Sequence, residues 1–111
     1  GLNDYTQIST NPHMRAKLKS SCELIIINKI RRDLGQYKVQ RPIRIIYRYY
    51  EMDKQRDLDN IAGVAHKFIQ DALVKCGVLQ GDGWKYIVGF EDEFYIDKDN
   101  PRIEVELKEM G

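Results

Sequence analysis

Apolar and polar positions follow two different periods along this chain, and the change of period separates its elements. Behind Asn11-Pro12, a capping residue and a proline placed where a missing N–H costs nothing, Met14, Leu18, Cys22, Ile26 and Ile30 recur every fourth residue. Ile25 widens this helical stripe, and Arg15, Lys19, Lys29, Arg31 and Arg32 take the opposite side. Gly35 ends the helix, and the basic residues of its last turn suit the negative end of the helix dipole. Over residues 42–50 the period falls to two: Ile43, Ile45, Tyr47 and Tyr49 share one face, with Arg44, Ile46, Arg48 and Tyr50 on the other. A second helix is expected from about Ile61, or slightly later, to Cys76, burying Val64, Phe68, Leu73 and Cys76, with Gly77 as its stop. Beyond the turn Gly81-Asp82-Gly83, residues 84–91 and 102–108 read as strands. The latter turns Ile103, Val105 and Leu107 inward and Glu104, Glu106 and Lys108 outward. Residues 1–9 show no clear period and read as an irregular lead-in. The expected fold is therefore α+β, two helices packed on a small mixed β-sheet of three or four strands, in a single domain over residues 1–111.

Composition adds little until charge is divided along the chain. An apolar share of 42% and a charged share of 32% suit a globular protein. No apolar run approaches the ~20 residues of a membrane span, and no basic-then-apolar leader opens the sequence, so the expected compartment is the cytoplasm. Cys22 and Cys76 have no metal-ligand spacing and read as reduced core thiols. The net charge of +1 conceals an asymmetry: residues 1–56 hold 12 Lys and Arg against 5 Asp and Glu, whereas residues 57–111 hold 6 against 12. A basic half joined to an acidic half suits a protein that grips a polyanion and binds a cation, although ordinary scatter of solvated charge gives the same totals.

Candidate chemistry concentrates in Arg56-Asp57-Leu58-Asp59-Asn60, which the strand over 42–50 delivers through a short polar loop. Two carboxylates one residue apart fall on one side of an extended backbone and repel unless a cation lies between them. A hard divalent ion would use such a pair together with water and phosphate oxygens. The competing reading is that one of these residues caps the following helix, a role for which Asp and Asn are well suited. Arg15, Lys17, Lys19, Arg44, Arg48, Lys54 and Arg56 are candidates for contacts to phosphate. Tyr47, Tyr49 and Tyr50 read as packing residues rather than base-stacking ones.

With these residues in order, the chain resembles the RusA family of Holliday-junction resolvases. The resemblance is carried by Arg56-Asp57-Leu58-Asp59-Asn60, Lys67, Asp71-Ala72-Leu73, Gly77-Val78 and Asp82, with Leu2-Asn3-Asp4-Tyr5 and Arg102-Ile103-Glu104-Val105-Glu106-Leu107 at the two ends. It implies a homodimeric, Mg²⁺-dependent crossover junction endodeoxyribonuclease that nicks four-way junction DNA symmetrically in recombination and repair. On that resemblance Asp57, Asp59 and Asp82 bind the metal, Lys67 assists the chemistry, and Arg56 contacts DNA; the alternative is a catalytically silent DNA-binding relative acting as a recombination accessory. The chain departs from the family in three ways. It begins without the short strand that usually precedes the Asn-Tyr lead-in, Asp82 stands alone where the family has an Asp-Asp pair, and the stretch from Asn60 to Lys67 is about one helical turn longer. His66 is a neighbouring alternative to Lys67 that reads more simply as a polar surface residue. A straight helix would carry Lys67 about 12 Å from Asp59, so a catalytic Lys67 implies that the second helix begins late, near Gly63 or Val64.

Overall fold

The computed structural model describes residues 3–8 and 19–110, with side chains from 23 to 110. Its elements run β1 (Asn3–Ile8), α1 (Lys19–Leu34), β2 (Ile43–Glu51), α2 (Leu58–Lys75), β3 (Ile87–Ile96) and β4 (Arg102–Glu109). The four strands form one mixed sheet in the order β1-β4-β2-β3. β2 and β3 are parallel and joined through α2, the crossover that parallel pairing requires. β4 then inserts antiparallel between β2 and β1. The architecture is α+β, as the periods of the sequence imply. Among the described residues no helix is long and apolar enough to cross a membrane.

The inward face of β2 is realised as expected, although Ile46 on the other face is buried as well. Ile43, Ile45, Tyr47 and Tyr49 are fully buried, and the last three register against Leu107, Val105 and Ile103 of β4. Ile26 and Ile30 of α1 and Ile61, Ala65, Ile69, Ala72 and Leu73 of α2 close over this surface. The opposite face of the sheet is a lattice of ion pairs. Arg48 bonds Glu93 at 3.1 Å and Glu106 at 3.0 Å, Arg44 lies 3.9 Å from Glu91, and Arg102 stacks 3.8 Å from the centre of the Tyr50 ring.

Five expectations are corrected. The lead-in contains a strand, β1, because the free edge of β4 supplies a backbone ladder that polar residues can join. The second helix starts at Leu58, not near Gly63, because Asp57 caps it. Its buried face is Ile61-Ala65-Ile69-Leu73, with Val64 exposed and Phe68 and Cys76 half-buried; small alanines let the helix approach the sheet closely where larger side chains had suggested a different face. On α1, Ile25 does not widen the core stripe but is exposed, Ile26 and Ile30 being sufficient to fill the contact. Residues 84–86 form a turn, and β3 starts at Ile87 and runs to Ile96, past the expected end at 91. The proposed helix start at Asn11-Pro12, with Met14 and Leu18, lies outside the described residues, as does the side chain of Cys22.

The corrected face of α2 is testable. Ile69→Ala should destabilise the protein by about 2–5 kcal/mol in urea unfolding, as for buried Ile truncations, whereas Val64→Ala should stay within about 0.5 kcal/mol. A second expectation concerns acid. Glu109 is held below the usual carboxylate range by the Tyr37 hydroxyl and the backbone N–H of Gln40 and Arg41, Glu93 by the Tyr95 hydroxyl and Arg48, and Asp97 by Arg102. Depressed carboxylates bind protons more readily in the unfolded chain, so their contribution is complete above about pH 5 and is lost as pH falls through the lowered values. Unfolding free energy measured against pH should therefore decline below pH ~4.5, and the Glu109→Gln variant should show a shallower decline.

Candidate functional site

The chain leaves the central strand at Glu51, a buried carboxylate. A carboxylate in that position needs a partner, and Arg56 supplies one by folding back: its Nε and Nη2 each donate to Glu51, both at 2.6 Å. The loop between them is thereby pinned, with Asp53 accepting from the N–H of Gln55 at 3.0 Å. The next residue, Asp57, is extended (φ −68°, ψ 128°) and its Oδ1 accepts the N–H of Asp59 at 3.1 Å. Asp57 is thus the N-cap of α2, and Asp59 sits in the first turn, where the helix dipole favours negative charge. Both are exposed. The extended backbone that would set both carboxylates on one side thus ends at Asp57, because the cap starts the helix at Leu58; Asp57 and Asp59 are neighbours at the start of α2, with exposed Lys54 nearby in sequence.

The structure does not bring the other candidates to them. Asp82 lies on the turn that precedes β3, and Ile43, the first residue of β2, donates to Tyr86 of that turn at 2.9 Å. Asp57 and Asp59 follow the last residue of β2, so Asp82 stands at the opposite end of the sheet. The 18 residues of α2 connect the two ends, a length of about 27 Å. Lys67 is exposed and, on a helix regular from Leu58, lies about 12 Å along the axis from Asp59. Among the described residues no group of three or more His, Cys, Asp or Glu is placed to hold a metal ion. Of the candidate phosphate contacts, Arg56 is engaged by Glu51, and Arg44 and Arg48 are engaged by carboxylates of the outer sheet face. Arg15 and Lys17, and the side chain of Lys19, lie outside the described residues. Tyr47 and Tyr49 are buried, and Tyr50 stacks on Tyr95 with centroids 5.0 Å apart.

A polar cluster that the sequence reading passed over lies between α2 and β3. The His66 ring stacks on Tyr47 and Phe90, with centroids at 4.5 and 4.9 Å, and its Nε2 lies 2.8 Å from Asp92 Oδ1. Tyr49 donates its hydroxyl to the same oxygen at 2.7 Å. Gln70 donates to the Tyr47 hydroxyl at 3.2 Å. Burial pushes the Tyr47 phenol above its ordinary range despite the bond from Gln70, and burial together with Asp92 does the same for Tyr49, so both remain protonated donors. The cluster fastens the edge strand to the helix. The signal in the sequence was the parity of Asp92 with Phe90 and Phe94, which becomes visible only once β3 is known to continue past residue 91.

Compared with protein-family models the chain matches none, and no curated protein matches it in sequence.

The local geometry makes two predictions. Asp57→Ala should lower stability by about 0.5–2 kcal/mol, while Asp57→Asn, which keeps the cap acceptor, should be nearly neutral. Glu51→Ala leaves a partly buried guanidinium without its partner and should cost about 1–3 kcal/mol, less than a fully buried pair because Arg56 retains some solvent. Urea titrations of the three variants beside the wild type measure both.

Proposed function

We propose that this protein is a Mg²⁺-dependent, structure-specific endodeoxyribonuclease of the RusA type, a homodimeric cytoplasmic enzyme that resolves four-way DNA junctions in recombination and repair. The observation that carries the reading is the pair Asp57 and Asp59, both exposed at the N-cap and in the first turn of α2, where the preceding loop is tied back by the Glu51–Arg56 ion pair. Mg²⁺ is commonly held by one or two carboxylates with water and substrate phosphate, a minimum that this pair meets. The chemistry supplied by the bound ion is neutralisation of charge on the phosphoryl oxygens and activation of a water. Asp57, through its cap bond, fixes the direction of its own carboxylate and of the first helical turn, and Arg56 presents the loop to DNA while remaining tied to Glu51.

A third carboxylate comes from Asp82 of the partner subunit in this reading. The separation of Asp82 from Asp57 and Asp59 along α2 favours that arrangement over a site inside one protomer. β3 is an open edge of the sheet with Val88, Phe90, Tyr95 and Ile96 exposed. Its central carboxylates are each engaged within the protomer, Glu91 with Arg44, Asp92 with His66 and Glu93 with Arg48, which lowers the repulsion of a like edge. Two copies joined along β3 about a two-fold axis run antiparallel, so the beginning of one β3 approaches the end of the other. At that end Asp97 donates its N–H to Glu51, close to where the Asp57 loop begins. Lys67 has no assigned partner in this arrangement and is retained only as a point charge toward bound phosphate.

The catalytically silent relative is favoured by one observation, the cap bond that employs Asp57 structurally. Nicking of a labelled four-way junction separates the two. With Mg²⁺, Asp57→Asn, Asp59→Asn and Asp82→Asn should each reduce nicking by orders of magnitude while junction binding without metal holds or tightens, since each removes a negative charge facing phosphate. Wild-type protein that binds junctions but never nicks them establishes the silent reading. Mixing Asp59→Asn with Asp82→Asn protomers should restore nicking at one site per heterodimer if the site is shared between subunits. No restoration, in a sample shown to have exchanged subunits, places the site within one protomer.

A further inference from the structure

Trp84, two residues beyond Asp82, plays no part in the chemistry above. It is the single tryptophan of the chain and is 97% exposed. Tryptophan is strongly buried on average because its surface is so largely apolar, so a ring left wholly in water calls for an occupant. The turn that carries it is held by backbone hydrogen bonds. Tyr86 and Ile87 both donate their N–H to Gly83, at 2.9 and 3.0 Å, and Tyr86 accepts from Ile43 at 2.9 Å. Gly81 lies against the Tyr86 ring so closely that a Cβ there would sit 2.8 Å from Cε2. A ring displayed on a pinned turn loses little freedom on binding.

Several cations stand at the same end of the sheet, alongside the exposed Asp82 that shares its turn. Lys85 follows Trp84 directly and lies 5.8 Å over the Tyr86 ring. Val39 donates its N–H to Val78 at 2.9 Å, which lays the segment before β2 beside the chain leaving α2. There Arg31 and Lys38 line a cleft of about 480 Å³ with Cys76, and Arg41 stands just before β2. Arg31, Lys38 and Arg41 are exposed and make no ion pair among the described residues. Glu109, the carboxylate in their midst, is turned inward to the Tyr37 hydroxyl and the N–H groups of Gln40 and Arg41. A flat apolar face beside well-separated cations matches a strand of nucleic acid that offers a base and its phosphates together; a continuous duplex offers no open base face.

We infer that Trp84 is a stacking platform for an unpaired nucleobase at the DNA branch point, with Lys38, Arg41 and Lys85 holding the adjoining phosphates. This deepens the DNA-junction reading and rests on it. Because Trp84 is the only tryptophan, its own emission reports the contact. The experiment titrates the full chain, without divalent metal, with a single-stranded oligothymidylate, a four-way junction and a linear duplex, following tryptophan emission and, separately, the anisotropy of labelled DNA. The single strand and the junction should quench Trp84, and the duplex should not. Trp84→Ala should bind the first two about 5- to 150-fold more weakly, the range that base–aromatic stacking gives on alanine substitution, with duplex affinity unchanged; Trp84→Phe should recover part of the loss. Junction binding by anisotropy with unchanged Trp84 emission overturns the stacking role and leaves the junction reading standing. Absence of binding to any of the three DNAs overturns both. A fall in binding that accompanies conversion of dimer to monomer by light scattering in Trp84→Ala makes Trp84 a contact between copies and overturns the stacking role.

Discussion

Two phenol hydroxyls inside the core constrain much of what surrounds them. Tyr47 and Tyr49 fill the buried face of the central strand, and each carries an oxygen that must find a partner there. Gln70 of α2 serves the first and Asp92 of β3 the second. Asp92 is then a carboxylate at the edge of an aromatic cluster, and His66 completes it. One strand's choice of tyrosine over isoleucine thus specifies a glutamine and a histidine on the helix and an aspartate on the neighbouring strand. An apolar core of the same volume would hold the layers together but would leave the rotation of α2 and the register of β3 less sharply defined. The polar groups supply that definition, since any slip leaves one of them unpaired in a medium where this is costly.

A second constraint is length. β2 and α2 run the whole depth of the domain in opposite senses, so whatever lies at the end of the strand and whatever follows the helix are separated by the full span. Asp57 and Asp59 occupy one extreme and Asp82 the other. The same arrangement separates two unlike surfaces, a carboxylate pair at the start of α2 and a turn that carries Asp82, Lys85 and a bare indole. A substrate touching both must be long, or must be presented by a second subunit.

Much of this fold is legible in the sequence where burial and period coincide. β4 alternates cleanly, and β2 does so apart from buried Ile46, because each has strands on both sides and a core on one face; their inward residues were identifiable from spacing alone. β1 was not, since Asn3-Asp4-Tyr5-Thr6-Gln7 has no apolar alternation; its strand conformation is imposed by the unpaired edge of β4. The phase of α2 was misread because Ala65 and Ala72 contribute by being small, a quality that a search for large apolar residues overlooks. Around the candidate site, a cap among Asp57, Asp59 and Asn60 was legible from residue type but not that Asp57 makes it, and the Arg56 ion pair followed only from knowing that Glu51 is buried. The His66–Asp92 contact joins residues 26 apart, from α2 to β3, and no local spacing encodes it.

The pairing of Asn3 with Lys108 has a kinetic meaning as well as an architectural one. β2, α2 and β3 are consecutive, and their contacts close comparatively short loops, whereas β1 meets β4 only after nearly the entire described chain has been gathered in. The entropy of closing the longer loop is modest, about 0.6 kcal/mol for each doubling of length. It therefore does little to the final stability, but it orders events, because pairings distant in sequence are slow to find. The β2–α2–β3 crossover would serve as the folding nucleus, β4 would dock on it, and β1 would zip on last. The last-formed strand is also the one most easily released, so the free edge of β4 would be the first surface of the sheet to open to a competing strand.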